Sequence, residues 1–584
     1  MPRRTRLQAY HTPPPANHTP SSLRRSAPPS LPPQYTPPVT LLCIPIMVAD
    51  LSSALAAAAH ARTAGADLVE YRLDHLFHDE HDIPIARRLA SESPLPCIIT
   101  CRPVDEGGAY DGPDDQRVAL YEHLGNPPAG EHPPRYIDVE LATLTRSANL
   151  RQKVLLAVRH PAQPRDLATG LILSHHDFTQ RPTNLFSILN QMRDEPAAAI
   201  HKIAFTARSL RDNLEVFDIL AHQDRPTIAL AMGEMGLMSR ILAPKFGAFL
   251  TFASLHDTAV TAPGQPTIHD LLHTFRFRSI NPSTRVYGVV GWPVTHSLSP
   301  AVHNAGFEAI NHNGVYLPLP IPPEWEHFKA TILALLDFAP LTLRGLSITL
   351  PHKEHLLRLA REDTSRSWTI DPIAQRIGAA NTLTIADDGA CAITNTDAHG
   401  ALVPLRAALT RDITGLRAII LGAGGAARAI AAALLDAGAT VRIAARTHQR
   451  AADLAANLAP GPVAAIPIAD LARTPCEVVV NCTPVGMAQG PDPGAMPIDA
   501  RTLHAWADTT RPLIMETVYN PLQTPLLAAA TRLGLPILPG LEMFIHQAAA
   551  QFHLWTGRTP PPTLFRRICE ETLATHTPPP LKDI

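Results

Sequence analysis

Residues 417–438 read RAIILGAGGAARAIAAALLDAG. An apolar run is followed by Gly422, Gly424 and Gly425 and then by an alanine-rich stretch, which predicts a strand, a tight turn and a helix. This is the setting of a glycine-rich dinucleotide turn, because glycines admit close backbone approach and a helix N-terminus attracts a pyrophosphate. Gly422, Ala423, Gly424, Gly425 and Ala426 are therefore candidate cofactor-binding residues. The next apolar run, TVRIAAR, ends in Arg446, followed by Thr447 and Arg450, where an NAD-selective site would carry an acidic residue. Basic residues there suit a 2′-phosphate and predict NADP(H) over NAD. The ordinary alternative for the same arginines is a solvated helix start.

Working outward, VYGVVGWPVTHSLSPAVHN from Val286 places Gly291, Pro293, Ser297 and Ser299 in a loop after a strand. Two hydroxyls and exposed amides there suit a polyol or carboxylate, with a plain hydroxyl-capped turn as the ordinary reading. GLSITLPHK sets Lys353 shortly after another strand, GAANTL supplies Asn381 and NTDAHG supplies Asp397. With NCTPVGM from Asn481, VYNP from Val518 and the terminal GLEMFIHQAAAQFHLWTG, these pieces make residues 285–575 resemble the shikimate dehydrogenase family. The resemblance implies Lys353 and Asp397 as the catalytic pair and Ser297, Ser299, Thr349, Asn381, Tyr519 and Gln547 as substrate contacts, with Gly540 beside the nicotinamide. Two departures stand out: Ala445 replaces a usual asparagine, and Ala398-His399 follow Asp397 where a smaller, glycine-containing pair is common.

Upstream, residues 40–280 alternate short apolar runs with helix-like segments such as SSALAAAAHARTAGA. LLCIPIMV, DLVEYRL, PCIITCR, RYIDVEL, LILSHHDF, HKIAFTA, PTIALAMG and AFLTFASL are the strand candidates, which predicts a (β/α)₈ barrel. KVLLAVR from Lys153 is a ninth apolar run and leaves the strand count open by one. Barrel chemistry sits at the C-terminal strand ends. Glu70, Arg72, Arg102, Glu106, His176, Lys202 and Arg240 all fall at or near such ends, a cluster that suits an anionic carbonyl substrate.

EYRLD from Glu70, TCRPVDEGG from Thr100, SHHDF from Ser174, HKIAF from His201, MGEMGLMSR ending at Arg240 and APGQ from Ala262 make this segment resemble type I 3-dehydroquinate dehydratase. The resemblance implies that Lys202 forms a Schiff base with the substrate ketone and that His176, with His175 excluded, is the general acid/base. A lysine whose pKa is lowered by neighbouring cations is the nucleophile expected. Arg240 would grip the carboxylate, with Glu70, Arg72, Arg102, Glu106, Thr261 and Gln265 completing the contacts; Thr261 stands where the family usually has serine.

The whole is thus an α/β chain: a (β/α)₈ barrel over 40–280, a substrate domain over 285–396 completed by 548–575, and a Rossmann NADP domain over 397–547. The 584 residues carry 50 basic against 52 acidic side chains, so no positive excess exists to hold nucleic acid. Eleven of the 59 prolines lie in the first forty residues, and residues 1–39 and 576–584 read as disordered tails. Seven cysteines in so long a chain point to reduced thiols, no metal is expected, and no run reaches the roughly 18 apolar residues of a membrane span. The expected location is cytoplasmic, or organellar if the arginine- and serine-containing tail is a transit peptide.

Together these readings predict an enzyme for two successive shikimate-pathway steps, dehydration of 3-dehydroquinate and NADPH-dependent reduction of 3-dehydroshikimate to shikimate. Alternatives are a catalytically silent metabolite-binding regulator, which requires erosion of Lys202, His176, Lys353 or Asp397, and an NAD-linked quinate dehydrogenase in the second half. All four residues are present.

Overall fold

The computed structural model describes residues 39–159, 168–256, 264–294, 297–488 and 490–576. Most of both expected tails and Thr261 lie outside the described residues.

Eight parallel strands build the first sheet: β1 (Leu41–Met47), β2 (Leu68–Arg72), β3 (Cys97–Thr100), β4 (Tyr136–Glu140), β5 (Gly170–Asp177), β6 (Ala198–Thr206), β7 (Thr227–Met232) and β8 (Leu250–Phe252). Each pairs with its successor up to β7, and β8 returns to β1 with Leu41 opposite Leu250. Between β7 and β8 the Phe249 N–H donates to the Thr227 carbonyl at 2.8 Å, which all but closes the barrel. The ninth apolar run is helical: it ends the helix Ala148–Arg159, whose buried Leu150, Val154, Ala157 and Val158 recur at three- and four-residue steps. Length and spacing separate such a helix from a strand; a short apolar run alone does not.

Side-chain alternation along the strands explains where the polar groups go. The barrel interior is filled lower down by Cys43, Leu68, Ile98, Ile172, Ile200, Ile228 and Leu250. One pleat further on, the same faces present Glu70, Thr100, Ser174 and Lys202, all buried.

The second half has two six-stranded sheets. In the first, β9 (Arg285–Gly291), β10 (Gly314–Pro320), β11 (Leu343–Ile348), β12 (Trp368–Ile370), β13 (Thr382–Ile385) and β14 (Cys391–Thr394) lie in the order β10-β9-β11-β13-β14-β12, with β13 antiparallel to both neighbours. In the second, β15 (Arg417–Leu421), β16 (Thr440–Ala444), β17 (Val463–Ala465), β18 (Val478–Asn481), β19 (Leu513–Glu516) and β20 (Ile537–Leu538) are parallel in the order β17-β16-β15-β18-β19-β20. The chain changes winding direction between β15 and β18, and such switch points open a crevice at the strand ends.

The helix Gly540–Thr556 serves both sheets: Phe544, Ile545, Ala548, Phe552 and Trp555 pack on the first and Met543 joins the core of the second. The boundary expected at residue 547 falls inside this continuous helix.

Barrel and first sheet share one hydrophobic core. At their junction Phe217 and Phe246 stack at 3.9 Å, and Phe338 of the second half lies 6.2 Å from Phe246. Beside them the buried Lys245 ammonium donates to the carbonyls of Pro282 and Thr284 and to Thr342 Oγ1 at 2.8–2.9 Å.

Candidate active sites

Lys202 sits in β6 between paired neighbours on both sides, so its side chain can only enter the barrel. Its Nζ donates to Asp138 Oδ2 at 2.7 Å, lies 3.4 Å from Glu70 Oε1 and stands 4.8 Å from the centre of the Phe252 ring. The nearest charges are thus two carboxylates, where cations were expected; Arg102 comes next, sharing Asp138 at 2.8 Å. Thr100 Oγ1 donates to Glu70 at 2.7 Å, and Ser174 Oγ to Asp138 Oδ1 at 2.6 Å. Burial alone would raise Asp138, but the Arg102 and Lys202 cations outweigh it and hold its carboxyl well below the usual range.

His176, near the end of β5, turns its Nδ1 to Glu106 Oε2 at 3.0 Å, and its own main-chain N–H donates to that oxygen at 3.1 Å. With Oε2 acting as acceptor, Nδ1 carries the proton and Nε2 keeps its lone pair. Burial, then Arg102 and Lys202, hold His176 well below the ordinary histidine value, so it stays neutral. Burial also pushes Glu106 up to about 8 against the pull of Arg102. His175 faces outward, its Nδ1 3.9 Å from Glu106 Oε1 and its ring lining a groove of about 340 Å³ with Asp177, Gln180 and Asn184.

Arg240 is fully buried on the helix Leu237–Ile241, and none of its ion pairs lies among the described residues. Burial lowers it to about 10. A buried guanidinium without a counter-charge is a receptor for a carboxylate. Arg72 differs, because Asp74 holds it bidentately at 2.9 and 3.0 Å. Gln265 is buried near the same mouth segment. Sequence reasoning missed Asp138, Glu140, Arg117 and Ser174; the signal was two acids two residues apart in RYIDVEL, the spacing that singled out Glu70 and Arg72.

In the second half, Lys353 and Asp397 are each the first residue of a helix, Lys353–Glu362 and Asp397–Ala408, and form an ion pair. Asn381 Nδ2 donates to Asp397 Oδ1 at 2.9 Å, and Asn395 accepts the Asp397 N–H at 3.0 Å. Ser299 opens the helix Ser299–Ala309 rather than lying in the loop, and its N–H donates to Ser297 Oγ at 3.2 Å. Tyr316 donates to Ser347 at 2.6 Å, Ser347 to Gln551 at 2.8 Å, and Gln551 to the Asn381 carbonyl at 3.1 Å. Sequence reasoning missed these three relay residues, although Ser347 lies in GLSITLPHK and Gln551 in GLEMFIHQAAAQFHLWTG, because no charge marked them. Thr349 follows β11, its N–H donating to Val290, and Gln547 packs its Cβ where a side chain on Gly400 would come within 2.6 Å.

The nucleotide turn begins at Gly422, whose φ of 112° only glycine adopts readily. A Cβ on Gly424 would meet nothing within 4 Å, so the cap of the helix Gly425–Asp436 opens on free space; one on Gly425 would come 3.0 Å from Lys353 Cδ. Ala423 is buried and Ala426 half-buried in the same turn. Leu421 pairs with Ala444, so Arg446, Thr447 and Arg450, all exposed, leave from the same sheet edge. Gly540 lies against Val518, whose carbonyl would be 2.3 Å from an added Cβ. An open helix N-terminus, a basic cluster beside it and a lysine against it fit a phosphorylated dinucleotide.

Models of four families match along the chain: type I 3-dehydroquinase at 42–282, the shikimate dehydrogenase substrate binding domain at 289–383, shikimate / quinate 5-dehydrogenase at 405–485 and the shikimate 5'-dehydrogenase C-terminal domain at 540–570. The chain is 35% identical over 91% of its length to the bifunctional 3-dehydroquinate dehydratase/shikimate dehydrogenase, chloroplastic, of Arabidopsis thaliana, and covers 84% of that relative. It is 42% identical over 47% of its length to the shikimate dehydrogenase (NADP(+)) of Paramagnetospirillum magneticum, covering 94% of it. Among solved structures, shikimate 5-dehydrogenase of Thermus thermophilus in complex with NADP(H) and shikimate is 34% identical over half of the chain and all of that structure, with a TM-score of 0.42.

Proposed function

The chain belongs to the family of bifunctional 3-dehydroquinate dehydratase/shikimate dehydrogenase enzymes, and we propose the residues by which it dehydrates 3-dehydroquinate and, with NADPH, reduces 3-dehydroshikimate to shikimate. Residues 40–280 form the dehydratase, 285–396 with 548–575 the shikimate-binding part, and 397–547 the nucleotide-binding part.

In the barrel, Lys202 as the neutral amine adds to the substrate ketone and, with loss of water, forms an imine. The cationic imine draws electrons from the neighbouring C–H bond, whose proton passes to His176 Nε2. The same histidine returns a proton to the departing hydroxyl, and water then hydrolyses the imine and frees Lys202. Glu106 keeps the His176 ring in the tautomer that has Nε2 free. Arg240 binds the carboxylate, with Glu70, Arg72, Arg102 and Gln265 around the hydroxyls, and the family resemblance assigns Thr261 to the same contacts.

In the second half, Gly422–Ala426 and Arg446, Thr447 and Arg450 would hold the NADP(H) phosphates, with Gly540 by the nicotinamide. When bound, NADPH supplies the hydride for the ketone carbon. Lys353, oriented by Asp397, gives its proton to the carbonyl oxygen as that oxygen becomes a hydroxyl. Ser297, Ser299, Thr349, Asn381, Tyr519 and Gln547 hold the ring hydroxyls and carboxylate.

The carrying observation is that one chain holds both reactive sets, Lys202 with His176 at a barrel mouth and Lys353 with Asp397 against a glycine turn. The test supplies purified protein with 3-dehydroquinate, alone and with NADPH or NADH. Enone absorbance followed by NADPH consumption is expected. No turnover would leave the silent regulator, enone without nicotinamide oxidation would end the two-step reading, and a preference for NADH would end the cofactor assignment.

No described helix is long and apolar enough to cross a membrane, and all seven cysteines are free. Free thiols suit the cytoplasm; a reporter fused to residues 1–39 separates that location from a plastid, where the Arabidopsis relative is named.

A further inference from the structure

A line of charges of alternating sign runs from Lys202 to the protein surface. Asp138 holds Lys202 at 2.7 Å, Arg102 holds Asp138 at 2.8 Å, Glu140 holds Arg102 at 2.6 Å and Arg117 holds Glu140 at 2.5 Å. Arg117 then meets Asp114 at 2.8 Å, and Asp114 meets Arg146, which is more than half exposed. Glu140 and Arg117 are fully buried and have no role in the chemistry above. Burying such a pair is costly, and an apolar pair of like volume would fill the space without that cost.

Geometry shows what the charges do. Glu140 gives one oxygen to each guanidinium, Oε1 to Arg102 and Oε2 to Arg117. Arg117 also donates to the Cys101 carbonyl at 3.0 Å and to Thr143 Oγ1 at 2.7 Å, so it is tied to the residue that precedes Arg102 and to the helix after β4. Arg102 spends Nη1 on Glu140 and Ser174, which leaves Nη2 aimed at Asp138.

We propose that Glu140 and Arg117 are positioning residues for the dehydration: they fix the Arg102 guanidinium, and through it the Asp138 carboxylate, where Lys202 must stand to form its imine. This rests on the reading of Lys202 as the nucleophile. Glu70 faces Lys202 from β2, Arg102 from the end of β3, Asp138 and Glu140 from β4, and His176 with Glu106 behind it from β5. Arg240 follows β7, and the sequences of β7 and β8, TIALAM and LTF, carry no ionisable group.

The test uses the full-length enzyme and traps the imine with borohydride in the presence of 3-dehydroquinate across a pH series. Glu140→Gln is expected to lower the kcat of dehydration on the order of 100-fold, the effect of a displacement near 1 Å. KM should change little. Adding Arg117→Met to Glu140→Gln removes the orphaned cation and should restore part of the trapping rate, a gain that a loss of packing alone would not give. Reduction of 3-dehydroshikimate by the same protein reports that it is folded; if Glu140→Gln is not folded, the kcat loss is read from Arg117→Lys, which keeps the charge but not the forked grip. Unchanged kcat and an unchanged trapping profile would overturn the proposal. Adduct on a residue other than Lys202 in the unmodified enzyme would instead overturn the reading beneath it.

Discussion

The barrel mouth and the cleft of the second half each present a lysine paired with an aspartate, yet they surround it differently. The Lys202 ammonium is met by buried carboxylates, and from Asp138 the charges continue to Arg102 and Glu140, each tied to the next by an ion pair. Around Lys353 there is one ion pair, and the rest is amides and hydroxyls, with open space beyond Gly424. In the barrel the protein must itself supply the electron sink, so it holds the amine in a fixed electrostatic frame. In the cleft a dinucleotide supplies the hydride, so the protein needs one proton, a phosphate seat and room.

That contrast is sharpest when each lysine is removed. Lys202→Ala should cost the dehydration roughly 10⁴-fold or more, as loss of a covalent nucleophile does, while reduction continues. Enone formation and NADPH oxidation followed in the same preparation check both halves, and residual dehydration near the original rate would break the distinction. Lys353→Ala should cost the reduction about 10²–10⁴-fold, the scale of a lost general acid, with dehydration intact.

Specificity in the cleft is softer. Arg446→Asp should move the NADPH over NADH preference, read as the ratio of kcat/KM values, by roughly 10–100-fold, because a hydrogen bond to a charged group is worth about 1.5–3 kcal/mol.

The smallest effect belongs to the barrel's crowded interior. Burial holds the Glu106 proton up to about 8, so the folded barrel binds it more tightly than the unfolded chain. Stability from this group is therefore lost as pH rises from the ordinary glutamate range through about 8, by at most about 1.4 kcal/mol per pH unit. Denaturant unfolding at several pH values should show that slope, and Glu106→Gln should flatten it.

Both architectures were legible in sequence for physical reasons. Gly422 to Gly425 follow a strand and open a helix, the order of a dinucleotide turn. Barrel strands announce themselves by their regular spacing, but the run at Lys153 mimicked one because KVLLAVR, five apolar residues in seven, fits either period until the length of the element is known. The residues proposed to bear the reactive groups were visible as charges inside apolar runs. Those that hold them were harder: Glu140 lies in the same run as Asp138, Arg117 sits on a helix among other polar residues, and Tyr316, Ser347 and Gln551 come together only through pairing of β9, β10 and β11 with the helix Gly540–Thr556. The cationic surroundings expected for Lys202 turned out to be carboxylates first, because Arg102 reaches across to Asp138 rather than to the lysine.

Lys245 and the Phe217, Phe246 and Phe338 rings weld the barrel to the first sheet of the second half. Fusion of the two enzymes is therefore more than a tether of convenience. Heat that loosens either partner is felt by both, and a gene cut at the linker would release two proteins each with a sticky wound where the other had been.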